Sequence, residues 1–173
     1  MKLLVISDTH GFENELVEIK ERYEKEVDYM FHCGDSELPS THKAIQGFLV
    51  VRGNCDFDHG FPNEIVEQVN DHIRLYATHG HLYNVKMTLM NIQYRAEEAG
   101  ATIICFGHSH LAGSELVGNK IFINPGSFRL PRRIVERTYC LLEIQGKTVK
   151  VDFYDHENKR LDELCSTYTL EIE

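Results

Sequence analysis

The chain has 173 residues, 42% of them hydrophobic and 26% charged. That length holds one sizeable core without requiring two, so a single domain over residues 1–173 is expected, and the composition excludes a disordered or fibrous chain. A formal net charge of −9 with ten neutral histidines argues against a broad nucleic-acid or anionic-membrane footprint, although bound cations would reverse the sign locally.

Only four apolar residues, Leu3 to Ile6, separate Met1-Lys2 from Ser7-Asp8. This is too short for a signal-peptide core or a membrane span, and a cytoplasmic protein with no membrane partner is expected. The apolar run predicts a strand, with Asp8-Thr9-His10 at its end. Alternation along an extended backbone would put Asp8 and His10 on one side, where both could reach one metal ion.

Leu16, Ile19, Tyr23 and Val27 then recur at helical spacing among Glu and Lys, predicting an amphipathic helix. Tyr29 to Cys33 and Phe48 to Val51 read as short strands ending in Gly34-Asp35 and Arg52-Gly53-Asn54. In open parallel sheets the carboxyl edge of the strands is where ligands bind.

Ile65 to Val69 and Ile73 to Thr78 predict a hairpin about Asn70-Asp71, leading into His79-Gly80-His81. Val85, Leu89, Ile92, Ala96 and Ala99 mark a second long helix stopped by Gly100, and Thr102 to Phe106 a buried strand running into Gly107-His108-Ser109-His110. Two further hairpins follow, Ser114–Val117 with Lys120–Ile123 and Tyr139–Ile144 with Thr148–Tyr154, and a short strand is expected near Thr169 to Ile172. The pattern predicts an α/β sandwich: two packed mixed β-sheets flanked by helices.

The five cysteines, Cys33, Cys55, Cys105, Cys140 and Cys165, are widely spaced with no Cys-x-x-Cys. Neither a disulfide framework nor a thiolate zinc site is expected from them. Asp8, His10, Asp35, Asn54, His79, His108 and His110, by contrast, all fall at or just past predicted strand ends. Oxygen and imidazole donors without thiolate suit Mn²⁺, Fe, Zn²⁺ or Ni²⁺ more than Ca²⁺ or a structural zinc.

Asp8-x-His10, Gly34-Asp35, Gly53-Asn54, Thr78-His79-Gly80-His81 and Gly107-His108-Ser109-His110 together resemble the ordered motifs of the calcineurin-like metallophosphoesterases. Gly53-Asn54-Cys55-Asp56 and Asn124-Pro125-Gly126-Ser127 resemble the small bacterial and archaeal phosphodiesterase branch of that family. The resemblance implies a metallophosphoesterase-like fold and two divalent metal ions, Mn²⁺ foremost, with Ni²⁺, Zn²⁺ or Fe as the others. It implies Asp8, His10 and His110 on one ion, Asn54, His79 and His108 on the other, and Asp35 bridging. A phosphate-ester substrate would be hydrolysed by in-line attack of a hydroxide shared by the ions, making Asp35, Asn54 and His79 catalytic through it. The family also leaves a homodimer or higher homo-oligomer open.

Many larger members of the family carry His where this chain has Cys55. A thiol with a pKa of about 8.5 is a poor general acid, so slower turnover or a preference for good leaving groups is expected. Cys55 and His81 are the candidate substrate contacts, His81 reading more readily as a solvated loop residue. Arg129, Arg132, Arg133 and Arg137 read as a solvated loop, and His32, His42, His59, His72 and His156 as surface or turn residues. Asp56, Thr9, Ser36 and Ser109 are candidates to orient ligands through hydrogen bonds. Two alternatives stand beside the phosphodiesterase. One is a non-catalytic scaffold resembling the retromer subunit of this fold, which has lost parts of the metal site. The other is a phosphomonoesterase or dinucleotide polyphosphate hydrolase.

Overall fold

The computed structural model describes residues 1–171. In β1 (Lys2–Ile6), Leu3 and Val5 face the space between two sheets while Leu4 and Ile6 face outward, so both sides must be covered. α1 (Glu13–Tyr23) covers the outer side with Leu16, Ile19 and Tyr23. β2 (Tyr29–His32) and β3 (Leu49–Val50) extend the sheet parallel to β1. α1 stops at Tyr23, short of the expected Val27. Val27 still packs on the same cluster, but by then the chain is reversing to start β2, and Asp28 is clamped to Lys2 by hydrogen bonds in both directions.

β4 (Glu64–Gln68) and β5 (Arg74–Thr78) form the expected antiparallel hairpin, its turn closed by Asn70 Oδ1 accepting the amides of His72 and Ile73. The second helix is shorter than its apolar spacing predicts. Val85 and Leu89 do join the apolar cluster, yet Asn84 is left-handed (φ 53°) and Thr88 Oγ1 accepts the Met90 amide. α2 therefore spans only Met90–Glu98. It covers the outer face of β6 (Ile103–Cys105) through Ile92 and Ala96 packed on Ile104.

β7 (Gly113–Val117) and β8 (Lys120–Asn124) pair antiparallel, as do β9 (Thr138–Gln145) and β10 (Thr148–Asp155). β11 (Ser166–Thr169) pairs with β10 and lies earlier than the strand expected near Thr169 to Ile172, of which Ile172 is outside the described residues. The strand orders are β11-β10-β9-β1-β2-β3 and β4-β5-β6-β8-β7, two mixed sheets packed on a shared apolar core with a helix on each outer face. The expected sandwich is what the chain forms. Among the described residues no helix is long and apolar enough to cross a membrane.

The parallel strands β1, β2 and β3 of one sheet and β5, β6 and β8 of the other all deliver polar residues at their carboxyl ends: Asp8, Asp35 and Asn54 from the first, His79, His108 and Asn124 from the second.

Candidate metal centre

The loops after β1, β2 and β6 do not continue as extended chain. Asp8 (φ 53°), His10 (φ 43°), Asp35 (φ 54°), His108 (φ 65°) and His110 (φ 60°) are all left-handed, so the alternation expected for Asp8 and His10 is not what brings them together. That conformation costs an L residue about 1–2 kcal/mol, and tertiary contacts hold it in place. The amides of Asp8, His10 and Gly11 donate to the carbonyls of Gly34, Asp35 and Ser36 at 3.0, 3.0 and 2.9 Å, zipping the first two loops together. Gly53 and Gly107 are needed for close approach: a Cβ at Gly53 would collide with Asp35, and one at Gly107 with Ser7 and Asp8.

The loops after β1, β2, β3, β5 and β6 bring all seven expected residues to one place. Asp8 Oδ1 lies 3.1 Å from His110 Nε2 and 3.9 Å from the Nε2 atoms of His10 and His79. His79 Nε2 lies 3.2 Å from Asp35 Oδ2 and 3.1 Å from Asn54 Oδ1. His108 packs its ring 5.1 Å from that of His79, and its amide donates to Asp8 Oδ2. Donor atoms of Asp8, His10 and His110, and of Asp8, Asp35 and His79, lie within 4.8 Å of one another.

The protonation pattern follows from the partners. His79 Nδ1 faces the Cys33 carbonyl at 2.7 Å, His110 Nδ1 the Leu130 carbonyl at 2.7 Å, and His10 Nδ1 a Glu37 carboxylate oxygen at 2.6 Å. Those oxygens only accept, so each Nδ1 carries the hydrogen and each neutral ring turns an Nε2 lone pair inward. With those rings neutral, six inward atoms are acceptors: two carboxylates, the Asn54 carbonyl and three imidazole nitrogens. Such a set repels itself unless protons or a cation sit among it. Asp8 Oδ1 and His10 Nε2 are buried with no hydrogen-bond partner, and Asp8 is 0% exposed. These residues fit a divalent cation by the chemistry of the set and by its orphaned atoms.

The electrostatics say the same. Burial works against the charged form of Asp35, but the contact with His79 and the Cys55 amide outweigh it and hold the carboxyl well below the usual range. Burial also works against protonated His79 and His110, and Asp35 and Asp8 respectively overcome it, raising both. His108 is lowered to about 4 by burial and by His79.

Several supporting residues go beyond what the sequence signals. Asp56, 3% exposed, accepts from the amides of Asp35, Glu37 and Gly53 at 2.8, 2.7 and 2.7 Å and from Ser36 Oγ at 3.2 Å, binding the second and third loops together. The sequence suggests a role for Asp56 and Ser36, but not this extent. Ser7 Oγ donates to Asp8 Oδ2 at 2.6 Å, Ser127 Oγ to the Asp8 carbonyl at 2.8 Å, and Ser109 Oγ accepts from Asn124 Nδ2 at 2.8 Å.

Two expectations are corrected. His32 is fully buried, not a surface residue. Its Nδ1 accepts from the Gly34 amide and its Nε2 therefore donates to Thr9 Oγ1 at 2.9 Å, and burial lowers it to about 4. His81 is half-buried rather than a freely solvated loop residue: its ring lies tilted 5.3 Å from that of His79 and edge-on 6.1 Å from that of His108, and burial and His79 lower it. Arg129, Arg132 and Arg133 are exposed, as expected of a solvated loop, and the Arg129 guanidinium lies 4.6 Å over the Phe12 ring and donates to the His10 carbonyl. His59, His72 and His156 are exposed, and His42 is half-buried in a turn beside Glu13, as expected of them. Cys55 is half-buried, its amide donating to Asp35 Oδ1 at 2.7 Å, and burial and the Asp35 charge push its thiol up to about 11.

A family model for the calcineurin-like phosphoesterase superfamily domain matches residues 1–147. The chain belongs to that superfamily. Among relatives of this phosphoesterase-family chain, the probable metallophosphoesterase YsnB of Bacillus subtilis is 48% identical over 170 residues, covering 98% of this chain and 100% of that one. The phosphodiesterase YfcE of Escherichia coli is 25% identical over 175 residues, covering 83% and 88%. A predicted phosphoesterase of Streptococcus pneumoniae superposes with a TM-score of 0.93 at 35% identity, over 97% of each chain. Vps29 of Chaetomium thermophilum, 18% identical, shares the fold with a TM-score of 0.78 over 99% and 98%.

Proposed function

We propose that this family member is a phosphodiesterase that uses two divalent cations, Mn²⁺ foremost and Ni²⁺, Zn²⁺ or Fe as the others suited to these donors. Asp8, His10 and His110 would hold one cation and Asn54, His79 and His108 the other, with Asp35 shared. The observation that carries the reading is the inward set of acceptors, with Asp8 Oδ1 and His10 Nε2 buried and unpartnered. When bound, such a pair supplies a water of lowered pKa and positive charge for the phosphoryl oxygens.

The chain's own residues prepare that site. The carbonyls of Cys33 and Leu130 and the Glu37 carboxylate keep three rings in the Nε2-forward tautomer. Asp8 and Asp35 bring two negative charges, fewer than two divalent cations bring positive ones, so the loaded site attracts a phosphate ester to a chain of net charge −9. Cys55 and His81 flank it as substrate contacts. With its thiol pushed up to about 11, Cys55 stays protonated at neutral pH yet is a weak proton donor, which favours esters with good leaving groups. We further propose that it acts in the cytoplasm.

Metal analysis followed by hydrolysis of an aryl phosphodiester and an aryl phosphomonoester, with and without Mn²⁺, tests this. Mn²⁺-dependent turnover, faster on the diester, is expected. Faster monoester turnover would make it a phosphomonoesterase. The likeness to Vps29 supports the scaffold alternative at the level of fold only, whereas all seven donor positions here are filled by competent residues. No turnover in any metal-loaded sample, with a tight protein partner in pull-down, would favour the scaffold.

A further inference from the structure

One thiol faces the acceptor set. Cys33, Cys105 and Cys140 are fully buried in the apolar core, and Cys165 Sγ lies 3.2 Å from the Leu161 carbonyl and 3.3 Å from the Phe153 amide. Cys55 is half-buried, and its Sγ meets Asn54 Nδ2 at 3.4 Å. Donor atoms of His10, Asp35 and Cys55 lie within 4.8 Å of one another. Beside them stands the unpartnered Oδ1 of Asp8, 0% exposed and 3.9 Å from His10 Nε2.

We propose that Cys55, His10 and Asp35 form a second, overlapping cation site that selects a soft divalent ion, Cd²⁺ or Zn²⁺, through the Cys55 sulfur. Thiolate favours these ions, whereas Mn²⁺ prefers carboxylate, carbonyl and imidazole. Donors on one tetrahedral ion at about 2.0–2.3 Å sit roughly 3.3–3.8 Å apart, so three donors already within 4.8 Å of one another need close by no more than about 1.5 Å to share an ion. Binding breaks the S–H bond heterolytically. The sulfur keeps the electron pair for the new bond to the ion, the proton leaves to solvent, and nothing is oxidised or reduced. Deprotonation is coupled to coordination, so a thiol that is protonated in the free chain still serves as ligand. His10 and Asp35 also belong to the oxygen and imidazole set, so an ion held by Cys55 takes donors from it. The sequence, with no paired cysteines, gives no hint of this, because the chelate is assembled from three separate loops.

The donor geometry stands without the hydrolase reading, and only competition with Mn²⁺ rests on it. Metal-free full-length protein is titrated with Cd²⁺ and the ultraviolet thiolate-to-cadmium charge-transfer band recorded. A saturable band at one equivalent is expected, absent in Cys55→Ser and retained in Cys165→Ser, with unchanged circular dichroism. In His10→Ala the band appears only at Cd²⁺ concentrations more than about tenfold higher, the loss that removal of even an outer metal partner brings. No band in the wild type, a band surviving in Cys55→Ser, or unchanged Cd²⁺ affinity in His10→Ala overturns the proposal. A Cys55-dependent band in a protein that hydrolyses nothing would leave this site standing and remove the phosphodiesterase reading.

Discussion

Asp35 is the residue on which the proposed two-cation arrangement turns, because it sits against His79 on one side and the Cys55 amide on the other. Asp35→Asn keeps the shape and removes the charge. Loss of at least one cation in metal analysis and a fall in rate of more than about 100-fold are expected, on the scale of about 3 kcal/mol of transition-state stabilisation. Retention of both ions and full rate would refute its shared role. Cys55→His tests proton delivery. An imidazole titrates near neutral pH where this thiol does not, so about 10-fold or more should be gained on esters with poor leaving groups. The same rate with unchanged metal content would remove that idea.

At the scale of elements, Asp56 joins the loops after β2 and β3. Asp56→Ala leaves three backbone amides without their acceptor. A loss of about 3 kcal/mol or more is expected in urea unfolding, together with weaker Mn²⁺ binding, since the loops carrying Asp35 and Asn54 would part. The strands were legible because apolar runs and turn residues mark them: β1, the β4–β5 hairpin and the β9–β10 hairpin all fall where the sequence puts them. Helix ends were not. Val85 satisfies helical spacing while lying in a turn, and Leu89 while only capping the helix, because burial against one cluster imposes that spacing whether or not the backbone is helical. The parts played by Glu37, Ser7, Ser127 and His32 were not legible for a different reason. Each has a partner on another loop or strand, Ser7 through the Cys33 carbonyl, and nothing local to it marks the contact.

For the whole molecule, pH dependence follows from which state holds the proton. His32 is lowered to about 4 by burial against an unfolded value near 6.5. Between those values the unfolded chain binds more protons, so this contribution to stability is complete above about 6.5 and is lost as pH falls through about 4, by roughly 3 kcal/mol. His79 and His110, both raised, work in the opposite sense in the metal-free chain: their contribution is present at low pH and is lost as pH rises through their folded values. His32→Gln keeps an acceptor for Gly34 and a donor for Thr9. It should show a shallower fall in the urea midpoint from pH 7 to pH 4.5 than the wild type, and an identical fall would exclude His32 as the source.

The left-handed backbone at Asp8, His10, Asp35, His108 and His110 means that the residues suited to chemistry are ill suited to the chain that carries them. Fitness for folding and fitness for the proposed reaction pull apart at those positions. His108→Gly should therefore stabilise the metal-free protein by up to about 1 kcal/mol and raise its melting temperature, while lowering its capacity to be stabilised by Mn²⁺, which at 100 times Kd contributes about 2.7 kcal/mol to an intact site. Calorimetry with and without Mn²⁺ would show the two curves crossing, the glycine variant ahead when bare and behind when loaded. Selection for robustness alone would erase this site, one ligand at a time.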